Sequence, residues 1–530
     1  MFLDRIVAQT RLDLEQRKQE RPLEEMMRLA MSQPPPRDLL EAIRPGRSKS
    51  QVHLIAEVKR ASPSKGLLAP HLDPVELARS YEANGAAAIS VLTEPHFFLG
   101  SPEYLTAIKQ AVNIPVLRKD FIMDEYQVYE ARAWGADAIL LICAILDDRQ
   151  LRHLLKAAHD HGMRCLVEVH NAGETRRAVE AGAVVIGINS RDLVTFDLNP
   201  SLVRELRQLI PADRVVVAES GIHTTTDARR LARYDVQAML VGESLVKSND
   251  VATQMRSLLQ GANESVQVKI CGLRTQEHLS AAIDAGADML GFVFYEPSHR
   301  YLAPQQAQAL CESMIMNSKK FMGASHPGDE APVGADLSCP PPIYRPTDLD
   351  SRYPGSFVKV HYREPADQTL PDLVGVFVNK DAGFINDVAE QVGLHFVQLH
   401  GHESPEFCQQ IKRPVLKALH LHTHADKGMV KAYQETTWRI LLDTPTPAWG
   451  GTGVTHDWSL ARNVATELPI MLAGGLTPEN VTEAISQVHP WGIDVSSGVE
   501  TNKQKDVTKI RTFIENVRNV HIRTTHDKEM

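Results

Sequence analysis

Apolar and polar residues alternate along the chain in two periods. Short apolar runs rich in β-branched residues are separated by longer stretches in which apolar positions recur at helical spacing. Eight such runs occur in the first half, near 53–60, 86–93, 114–121, 138–144, 164–170, 184–190, 214–220 and 238–244. Alternating strands and helices predict a parallel sheet, and eight units in about 210 residues are what a closed (β/α)8 barrel requires. An open doubly wound sheet is the alternative.

The same pattern starts again after a short polar segment, Gly261–Ser265. Eight further apolar runs lie near 267–273, 289–295, 373–379, 396–401, 414–420, 439–444, 469–476 and 492–498. Two tandem barrels explain this restart and the length of 530 residues better than one long domain with insertions. We therefore predict an α/β protein of two tandem (β/α)8 TIM barrels, residues 1–260 and 266–525, joined by a linker at 261–265.

Two segments do not follow the pattern. Residues 1–45 predict a helix, a loop at Pro34–Pro36 and a further helical turn, which together form an N-terminal helical extension of the first barrel. From about 319 to 369 the sequence contains eight prolines and sustains no periodicity. This composition predicts a long surface loop or a disordered insert within the second barrel.

Composition narrows the range of partners. The hydrophobic content of 43% and the charged content of 23% are globular values. A net charge of −9 without a long basic run argues against nucleic acid, and no apolar stretch reaches the roughly 18 residues of a membrane span. The six cysteines are scattered without a CxxC pair, which indicates reduced thiols rather than disulfides or a metal site. We expect a cytoplasmic monomer that binds small molecules and needs no cofactor.

Charged and amide residues follow several predicted strands of the first barrel, which is where barrels place catalytic groups. Glu57 and Lys59 share one face of the first strand, because side chains alternate along a strand. Such a pair alone is as often a solvated ion pair. The strand ends together, however, supply lysines beside carboxylates, the groups needed for acid–base chemistry. They are Glu57, Lys59, Lys119, Glu168, Asn189, Arg191, Glu219 and Ser220.

Small residues follow the seventh and eighth strands of the first barrel. Ser220–Gly221 and Gly242–Ser244 occupy the positions where barrels commonly bind phosphate through backbone N–H groups and a helix N-terminus. The sequence therefore predicts a phosphate ester as substrate.

The second barrel carries different reactive groups at its strand ends. Cys271 ends its first strand and Asp443 its sixth, so a thiol and a carboxyl form a possible acid–base pair. Taken alone, Cys271 is more often a buried core thiol than a catalyst. Arg300 adds a planar donor group after the second strand. Glycine- and serine-lined loops at 450–453, 473–476 and 496–498 again suit a phosphate.

Motifs in both halves resemble two enzyme families. AEVKRASPSKG, LRKDFI, EVH, GINSRDL, AESGI and LVGESL are similar, in this order, to the motifs of indole-3-glycerol phosphate synthase. VKICGL, QLHG, LLDT, GGTG, LAGGL and DVSSGVE are similar to those of phosphoribosylanthranilate isomerase. The resemblance covers nearly the whole chain, and the order of the two parts is that of bifunctional enzymes of tryptophan biosynthesis.

The resemblance implies roles in the first barrel. Lys119 would be the acid for ring closure of 1-(2-carboxyphenylamino)-1-deoxyribulose 5-phosphate, and Glu168 the base for dehydration. Lys59 would contact the substrate carboxylate and protonate the departing hydroxyl, and Glu57 completes the catalytic set. The substrate-binding set is Ser62, Phe121, Asn189, Arg191, Glu219, Ser220, Gly221, Gly242 and Glu243.

In the second barrel, the resemblance implies that Asp443 protonates the furanose ring oxygen of phosphoribosylanthranilate. Cys271 would then take the C2′ proton of the resulting Schiff base. The substrate-binding set is Arg300, His400, Gly451, Gly453, Gly474, Gly475, Ser496 and Ser497. Neither reaction implies a metal or a cofactor.

Two departures and two alternatives accompany this interpretation. The insert is longer than that region usually is in the isomerase, and His420, His422 and His424 form a run that a solvated loop explains better than a metal site. A different phosphosugar isomerase on the same fold would use paired aspartates at strands one and five. A non-catalytic phosphate-binding scaffold would have lost reactive groups, yet the sequence retains them.

Overall fold

The computed structural model describes residues 2–44, 52–263, 265–323, 370–420, 427–443 and 458–520, together with 343–344 and 357–358. The chain divides into two compact units, residues 1–263 with 332–364 and residues 264–331 with 365–530. Each unit contains one closed barrel of eight parallel strands, which confirms the predicted fold class. Among these described residues, every helix is too short or too polar to cross a membrane.

Residues up to 263 contain helices α1–α12 and strands β1–β10. The helices are α1 Phe2–Glu20, α2 Leu23–Met31, α3 Leu39–Ile43, α4 Pro74–Ala83, α5 Pro102–Ala111, α6 Glu125–Ala133, α7 Asp148–Asp160, α8 Ala172–Glu180, α9 Leu202–Arg207, α10 Thr225–Leu231, α11 Glu243–Val246 and α12 Val251–Asn263. The strands are β1 His53–Val58, β2 Ala61–Ser62, β3 Gly66–Leu67, β4 Ala88–Leu92, β5 Val116–Lys119, β6 Ala138–Ile142, β7 Arg164–Val169, β8 Val185–Asn189, β9 Val215–Glu219 and β10 Ala238–Val241. Strand β1 pairs with both β4 and β10 and closes the barrel, while β2 and β3 form a separate hairpin.

Helices of this barrel begin at capping residues directly after the strand-end loops. Asp73 accepts hydrogen bonds from the N–H groups of Val75 and Glu76, and Pro74 occupies the first helical turn. Asp124 and Asp147 form capping boxes at the starts of α6 and α7. These caps fix where each helix starts after the loop that follows its strand.

The barrel interior is built in layers. Each of four buried apolar residues lies two positions before a polar one on the same strand face: Ile55 before Glu57, Leu117 before Lys119, Leu166 before Glu168 and Val217 before Glu219. The four apolar residues belong to one core cluster. The charged groups consequently form the layer at the C-terminal end of the barrel.

The N-terminal helix α1 is attached to the first barrel by ion pairs. Arg17 Nε lies 2.7 Å from Glu130 Oε1, and Lys18 Nζ lies 2.9 Å from Asp124 Oδ2. At the start of α1, the ring of Phe2 packs edge-on against Phe196 with centroids 5.3 Å apart. The helical extension therefore packs as a part of this unit.

The predicted linker at 261–265 begins too early. Residues 261–263 continue α12, and Asn263 anchors its end by exchanging two hydrogen bonds of 2.7 and 2.9 Å with the backbone of Val52. Gly261 lies so close to the backbone of Thr225 that a Cβ atom would not fit. Polar composition suggested a linker, whereas these tertiary contacts extend the helix.

The described residues after 264 contain helices α13–α20 and strands β11–β22. The helices are α13 Gln276–Asp284, α14 Pro304–Gly323, α15 Ala382–Val392, α16 Pro405–Cys408, α17 Lys427–Gln434, α18 Trp458–Ala465, α19 Val481–Val488 and α20 Val507–Arg518. The strands are β11 Gln267–Cys271, β12 Met289–Val293, β13 Ile343–Tyr344, β14 Phe357–Val358, β15 Asp372–Phe377, β16 Phe396–Leu399, β17 Val415–His420, β18 Arg439–Asp443, β19 Ile470–Leu472, β20 Gly492–Val495, β21 Glu500–Thr501 and β22 Gln504–Lys505. The barrel order is β11-β12-β15-β16-β17-β18-β19-β20, and β21 and β22 form a hairpin after it.

The insert starts later than predicted. Helix α14 continues to Gly323, so residues 319–323 are helical rather than a loop. Within the insert, β13 and β14 pair as an antiparallel hairpin, and its other residues lie outside the described part of the chain. Strand β12 pairs directly with β15, with Met289 opposite Asp372, so the barrel closes across the insertion point.

Candidate active sites

A pocket of about 1040 Å³ opens at the C-terminal end of the first barrel. Every site residue predicted for this barrel lines it: Glu57, Lys59, Ser62, Lys119, Phe121, Glu168, Asn189, Arg191, Glu219, Ser220, Gly221, Gly242 and Glu243. These residues come from different strands and the loops that follow them, and the closed barrel brings them to one place.

Lys119 lies between two carboxylates in this pocket. Its Nζ is 3.0 Å from Glu168 Oε2 and 3.2 Å from Glu219 Oε2. Both carboxylates are buried, and among the residues that the structure describes the Glu219 Oε1 atom has no hydrogen-bond partner. The ammonium is therefore held at the centre of the charged layer, in contact with both acids.

The surroundings of the two carboxyl groups shift their pKa values in opposite directions. Burial opposes ionisation of Glu168, but Lys119 and the His170 imidazole, whose Nε2 lies 3.2 Å from Glu168 Oε1, lower its pKa below the ordinary value. For Glu219, burial and repulsion from Glu168 outweigh Lys119 and raise the pKa well above the ordinary value. Two carboxyl groups with such different pKa values can serve as base and acid in the same pocket.

Glu57 and Lys59 form a second ion pair at the pocket wall. Their Oε1 and Nζ atoms are 2.7 Å apart, and Glu57 is buried. A Cβ atom at Gly242 would lie 2.6 Å from Glu57 Oε1, and one at Gly187 would lie closer than 3.0 Å to Glu219 Oε1. Both carboxylates thus rest against glycine backbone, Glu219 against Gly187 of β8 and Glu57 against Gly242, which directly follows β10.

The remaining walls are aromatic on one side and polar on the other. Phe98 and Phe121 have ring centroids 6.1 Å apart, and Phe196 also lines the pocket, so an aromatic ring of a substrate has an apolar surface to contact. Ser220 and Gly221 both have positive φ angles, 66° and 70°. The loop after β9 turns sharply there, and such turns present backbone N–H groups to an anion.

A pocket of about 690 Å³ lies at the C-terminal end of the second barrel. Eight predicted residues line it: Cys271, Arg300, His400, Asp443, Gly474, Gly475, Ser496 and Ser497. Gly451 and Gly453, also predicted for this site, lie outside the described residues, as does the histidine run beyond His420.

Asp443 is buried beside an imidazole. Its Oδ2 lies 3.2 Å from His400 Nε2, and the other ring nitrogen of His400 lies 2.9 Å from Gln398 Nε2. The His420 ring lies 3.4 Å from the backbone oxygen of Asp443. The acid predicted at this strand end is therefore held among polar neighbours at the mouth of the barrel.

Arg300 is held by a carboxylate rather than projecting alone into the pocket. Its Nε and Nη2 donate to Glu500 Oε1 and Oε2 at 2.6 and 2.9 Å, and Lys505 Nζ lies 2.9 Å from the same carboxylate. Although burial opposes ionisation, Arg300 and Lys505 lower the pKa of Glu500 to about 2. The β21–β22 hairpin thus fixes the orientation of the guanidinium.

Comparison with known proteins bears on both sites. A family model for indole-3-glycerol phosphate synthase matches residues 3–258, and one for N-(5'-phosphoribosyl)anthranilate (PRA) isomerase matches residues 338–516. The chain is 51% identical to an indole-3-glycerol phosphate synthase of Dehalococcoides mccartyi, over 49% of this chain and 100% of that protein.

Two longer relatives span both halves. The chain is 37% identical to tryptophan biosynthesis protein TRP1 of Phytophthora nicotianae, over 84% of this chain and 87% of that protein. It is 34% identical to a multifunctional tryptophan biosynthesis protein of Phycomyces blakesleeanus, over 98% of this chain and 70% of that protein. The chain belongs to the multifunctional tryptophan biosynthesis family. It carries indole-3-glycerol phosphate synthase and phosphoribosylanthranilate isomerase activities, as the motifs predicted, and neither alternative interpretation is supported.

The isomerase match begins within the insert, so Cys271 and Arg300 lie before it. Their strands β11 and β12 nevertheless close the same barrel as β15–β20, and their side chains line the pocket that contains Asp443. The isomerase barrel is therefore interrupted in sequence and continuous in structure.

Several residues at the two sites were missed from the sequence. In the synthase barrel they are His170 and Gly187, of which His170 stands in the EVH motif two residues after Glu168. In the isomerase barrel they are Lys269, Asp494, Glu500 and Lys505. Alternation along β11 places Lys269 on the same face as Cys271, and this signal was available from the sequence.

Proposed function

We propose that the synthase barrel closes 1-(2-carboxyphenylamino)-1-deoxyribulose 5-phosphate to indole-3-glycerol phosphate with Lys119 as acid and Glu168 as base. The observation that carries this proposal is the contact of 3.0 Å between the Lys119 ammonium and the buried Glu168 carboxylate. Burial would lower the pKa of Lys119, but Glu168, Glu219 and Glu57 raise it above its ordinary value, so the group holds its proton until substrate binds.

The chemistry assigns each group a step. The ring carbon that bears the substrate carboxylate attacks the C2′ carbonyl, and Lys119 protonates the carbonyl oxygen as the carbon–carbon bond forms. The bond between the ring carbon and the carboxylate then breaks as carbon dioxide leaves, and the electron pair of that bond restores the aromatic ring. Lys59 contacts the carboxylate before this loss and afterwards protonates the departing hydroxyl, while Glu168 removes the proton that completes the pyrrole.

The other residues hold the substrate and the lysines. Glu57 positions Lys59 through their ion pair of 2.7 Å. Phe121 and its aromatic neighbours contact the anthranilate ring, and Ser62, Asn189 and Arg191 surround its carboxylate. The loops at Ser220–Gly221 and Gly242–Glu243 bind the phosphate through backbone N–H groups.

In the isomerase barrel, we assign the acid to Asp443 and the base to Cys271. Asp443 protonates the furanose ring oxygen, the C1′–O bond breaks, and a Schiff base forms at C1′. Cys271 then removes the C2′ proton, and the electron pair of that bond moves to give the enolamine. Arg300, oriented by Glu500, and the loops at Gly474–Gly475 and Ser496–Ser497 bind the anionic groups of the substrate.

The test uses the complete chain, because one substrate reports on both barrels. Purified protein given phosphoribosylanthranilate should form indole-3-glycerol phosphate, whereas Lys119→Met should accumulate the deoxyribulose intermediate. Asp443→Asn should block the first step and still close the intermediate when it is supplied directly. Loss of isomerase turnover in Lys119→Met would contradict the assignment of separate sites.

We also propose that the chain acts as a cytoplasmic monomer. In support, each barrel draws the described residues of its pocket from its own strands and loops, so neither site needs a second copy. Sedimentation at the assay concentration would test the oligomeric state, and a dimer whose dissociation abolished turnover would contradict it.

A further inference from the structure

Lys269 is fully buried inside the isomerase barrel. It lies in β11, two residues before Cys271, and its side chain has no exposed surface. Its partner is Asp494 of the adjacent strand β20. The two residues are opposite each other in the strand register, and Lys269 Nζ lies 3.0 Å from Asp494 Oδ1. Lysine is almost never fully buried unless it is paired, and the Asp494 carboxylate is the partner that burial of Lys269 requires.

The Lys269 side chain also lies on the same strand face as the thiol of Cys271, two residues along β11. Its positive charge lowers the pKa of that thiol. A second cation, Lys505 of β22, acts on the thiol from the hairpin, where it is held by Glu500 at 2.9 Å and by the backbone oxygen of Ser496 at 2.8 Å. Cations from two separate elements thus face one cysteine.

Stability does not explain why a lysine occupies this position. A buried ion pair loses hydration on both partners and is often no more stabilising than apolar residues of the same volume. The barrel interior elsewhere is filled with such residues, including Val293 and Val376 beside Cys271. A cation at this place does, however, stabilise a negative charge that forms on the thiol.

We propose that Lys269 is a positioning residue of the isomerase whose ammonium, anchored by Asp494, stabilises the thiolate of Cys271. This inference rests on the role proposed above for Cys271 as the base. In the step it supports, the thiolate electron pair forms the S–H bond with the C2′ proton. The pair of the broken C–H bond becomes the C1′–C2′ double bond, and the Schiff-base nitrogen takes up the displaced electrons. Lys269 keeps its own proton throughout.

The charged groups around Cys271 act in opposite directions. Burial raises the pKa of the thiol, and the Asp494 carboxylate raises it further, whereas Lys269 and Lys505 lower it. From the far wall of the pocket, Asp443 and His400 also face the site. Burial alone would lower the pKa of Lys269, but Asp494 and the thiol raise it above its ordinary value, so Lys269 is a lasting positive charge.

The experiment measures the thiol directly. The complete chain is treated with iodoacetamide over a range of pH, and the modification of the Cys271 peptide is followed by mass spectrometry. Lys269→Gln keeps a hydrogen-bond donor for Asp494 but removes the charge, and Lys269→Arg keeps the charge. An opposite charge at this range shifts a pKa by about 1–3 units. Lys269→Gln should therefore move the alkylation midpoint upward and slow alkylation at least about tenfold below the wild-type midpoint.

Turnover supplies a second readout. In Lys269→Gln, isomerase kcat should fall at least about tenfold at neutral pH, KM should stay near the wild-type value, and kcat should recover as the pH rises. Lys269→Arg should restore much of the loss. Synthase activity in the same chain should not change, which controls for protein quality.

A double variant, Lys269→Met with Asp494→Asn, covers the case in which the single variant does not fold. It removes both buried charges. Lys269 shares the strand and the strand face of Cys271, whereas Asp494 lies on the neighbouring strand β20, so loss of the lysine should dominate and the alkylation midpoint should still lie above that of wild type. A midpoint equal to or below that of wild type, in either variant, would overturn the inference. A raised midpoint with normal isomerase turnover would support it and would instead contradict the role of Cys271 as base.

Discussion

Replacing Gly187 by alanine tests how tightly the synthase carboxylates are placed. Gly187 lies in β8, beside Glu219 of β9, and an added Cβ would lie closer than 3.0 Å to Glu219 Oε1 and 3.1 Å from Leu166 Cδ1. The methyl group enters a closed barrel interior, so the Glu219 carboxylate must move by roughly 1 Å to restore an ordinary contact.

Two effects of this movement can be estimated. Moving the Glu219 carboxyl group from 3.2 Å to about 4.2 Å from Lys119 Nζ takes it beyond hydrogen-bond distance, and loss of one such polar contact costs about 1 kcal/mol, which corresponds to about fivefold in rate. A misplacement of about 1 Å among reacting groups costs up to about hundredfold. Gly187→Ala should therefore lower synthase kcat between about fivefold and hundredfold and destabilise the barrel by about 1–3 kcal/mol.

Single-turnover kinetics with the deoxyribulose intermediate would measure this loss, and isomerase turnover in the same sample would serve as the internal control. Glu219→Ala and the double variant complete a cycle. If alanine at 187 acts by displacing Glu219, the double variant should lose little more than Glu219→Ala alone. Wild-type synthase rates in Gly187→Ala, or losses that add fully in the cycle, would refute the reasoning.

Three further predictions concern the isomerase barrel. Cys271→Ala and Asp443→Asn should each lower isomerase turnover at least about hundredfold with little change in substrate affinity, because each removes a general base or acid; near-normal turnover in Cys271→Ala would show that the base lies elsewhere. Replacing residues 324–369 with a short Gly/Ser linker should leave isomerase turnover within a few-fold, since β12 and β15 already pair in register, and an insoluble product would contradict this. The pKa of Glu500 is held at about 2, below its ordinary value of 4.5, so its ion pairs stabilise the barrel above about pH 4.5 and this contribution is lost as the pH falls toward 2. Urea unfolding should accordingly show Glu500→Gln as less stable than wild type at pH 7 and the gap as narrower at pH 3; an equal gap at both values would contradict the assignment.

The architecture was predictable because it depends on local periodicity. Apolar runs of the right spacing predicted sixteen barrel strands, and the structure has eight in each barrel. Side-chain alternation also predicted that Glu57 and Lys59 face inward, and both line the synthase pocket. The roles of these residues in turnover stay predictions, since placement in a pocket does not establish a proton transfer.

The features that could not be predicted from the sequence depend on contacts between residues that are distant in the chain. Arg300 and Glu500 are 200 positions apart and meet only when the barrel closes. Lys269 stands near Cys271 in sequence, but the strand register that places Asp494 opposite it is a property of the folded sheet. The end of α12 was misjudged for the same reason, because contacts of Asn263 with the distant Val52 decide it.

The two synthase carboxylates that rest on glycine backbone affect how this barrel can evolve. Glu219 of β9 with Gly187 of β8, and Glu57 of β1 with Gly242 directly after β10, each constrain one another as a pair. A larger residue at either glycine becomes sterically acceptable only after its carboxylate partner has shortened, so neutral drift at these positions requires ordered double substitutions. Mutagenesis libraries that vary one strand at a time would score both glycines as intolerant, whereas libraries that vary each pair together would reach sequences that single steps cannot.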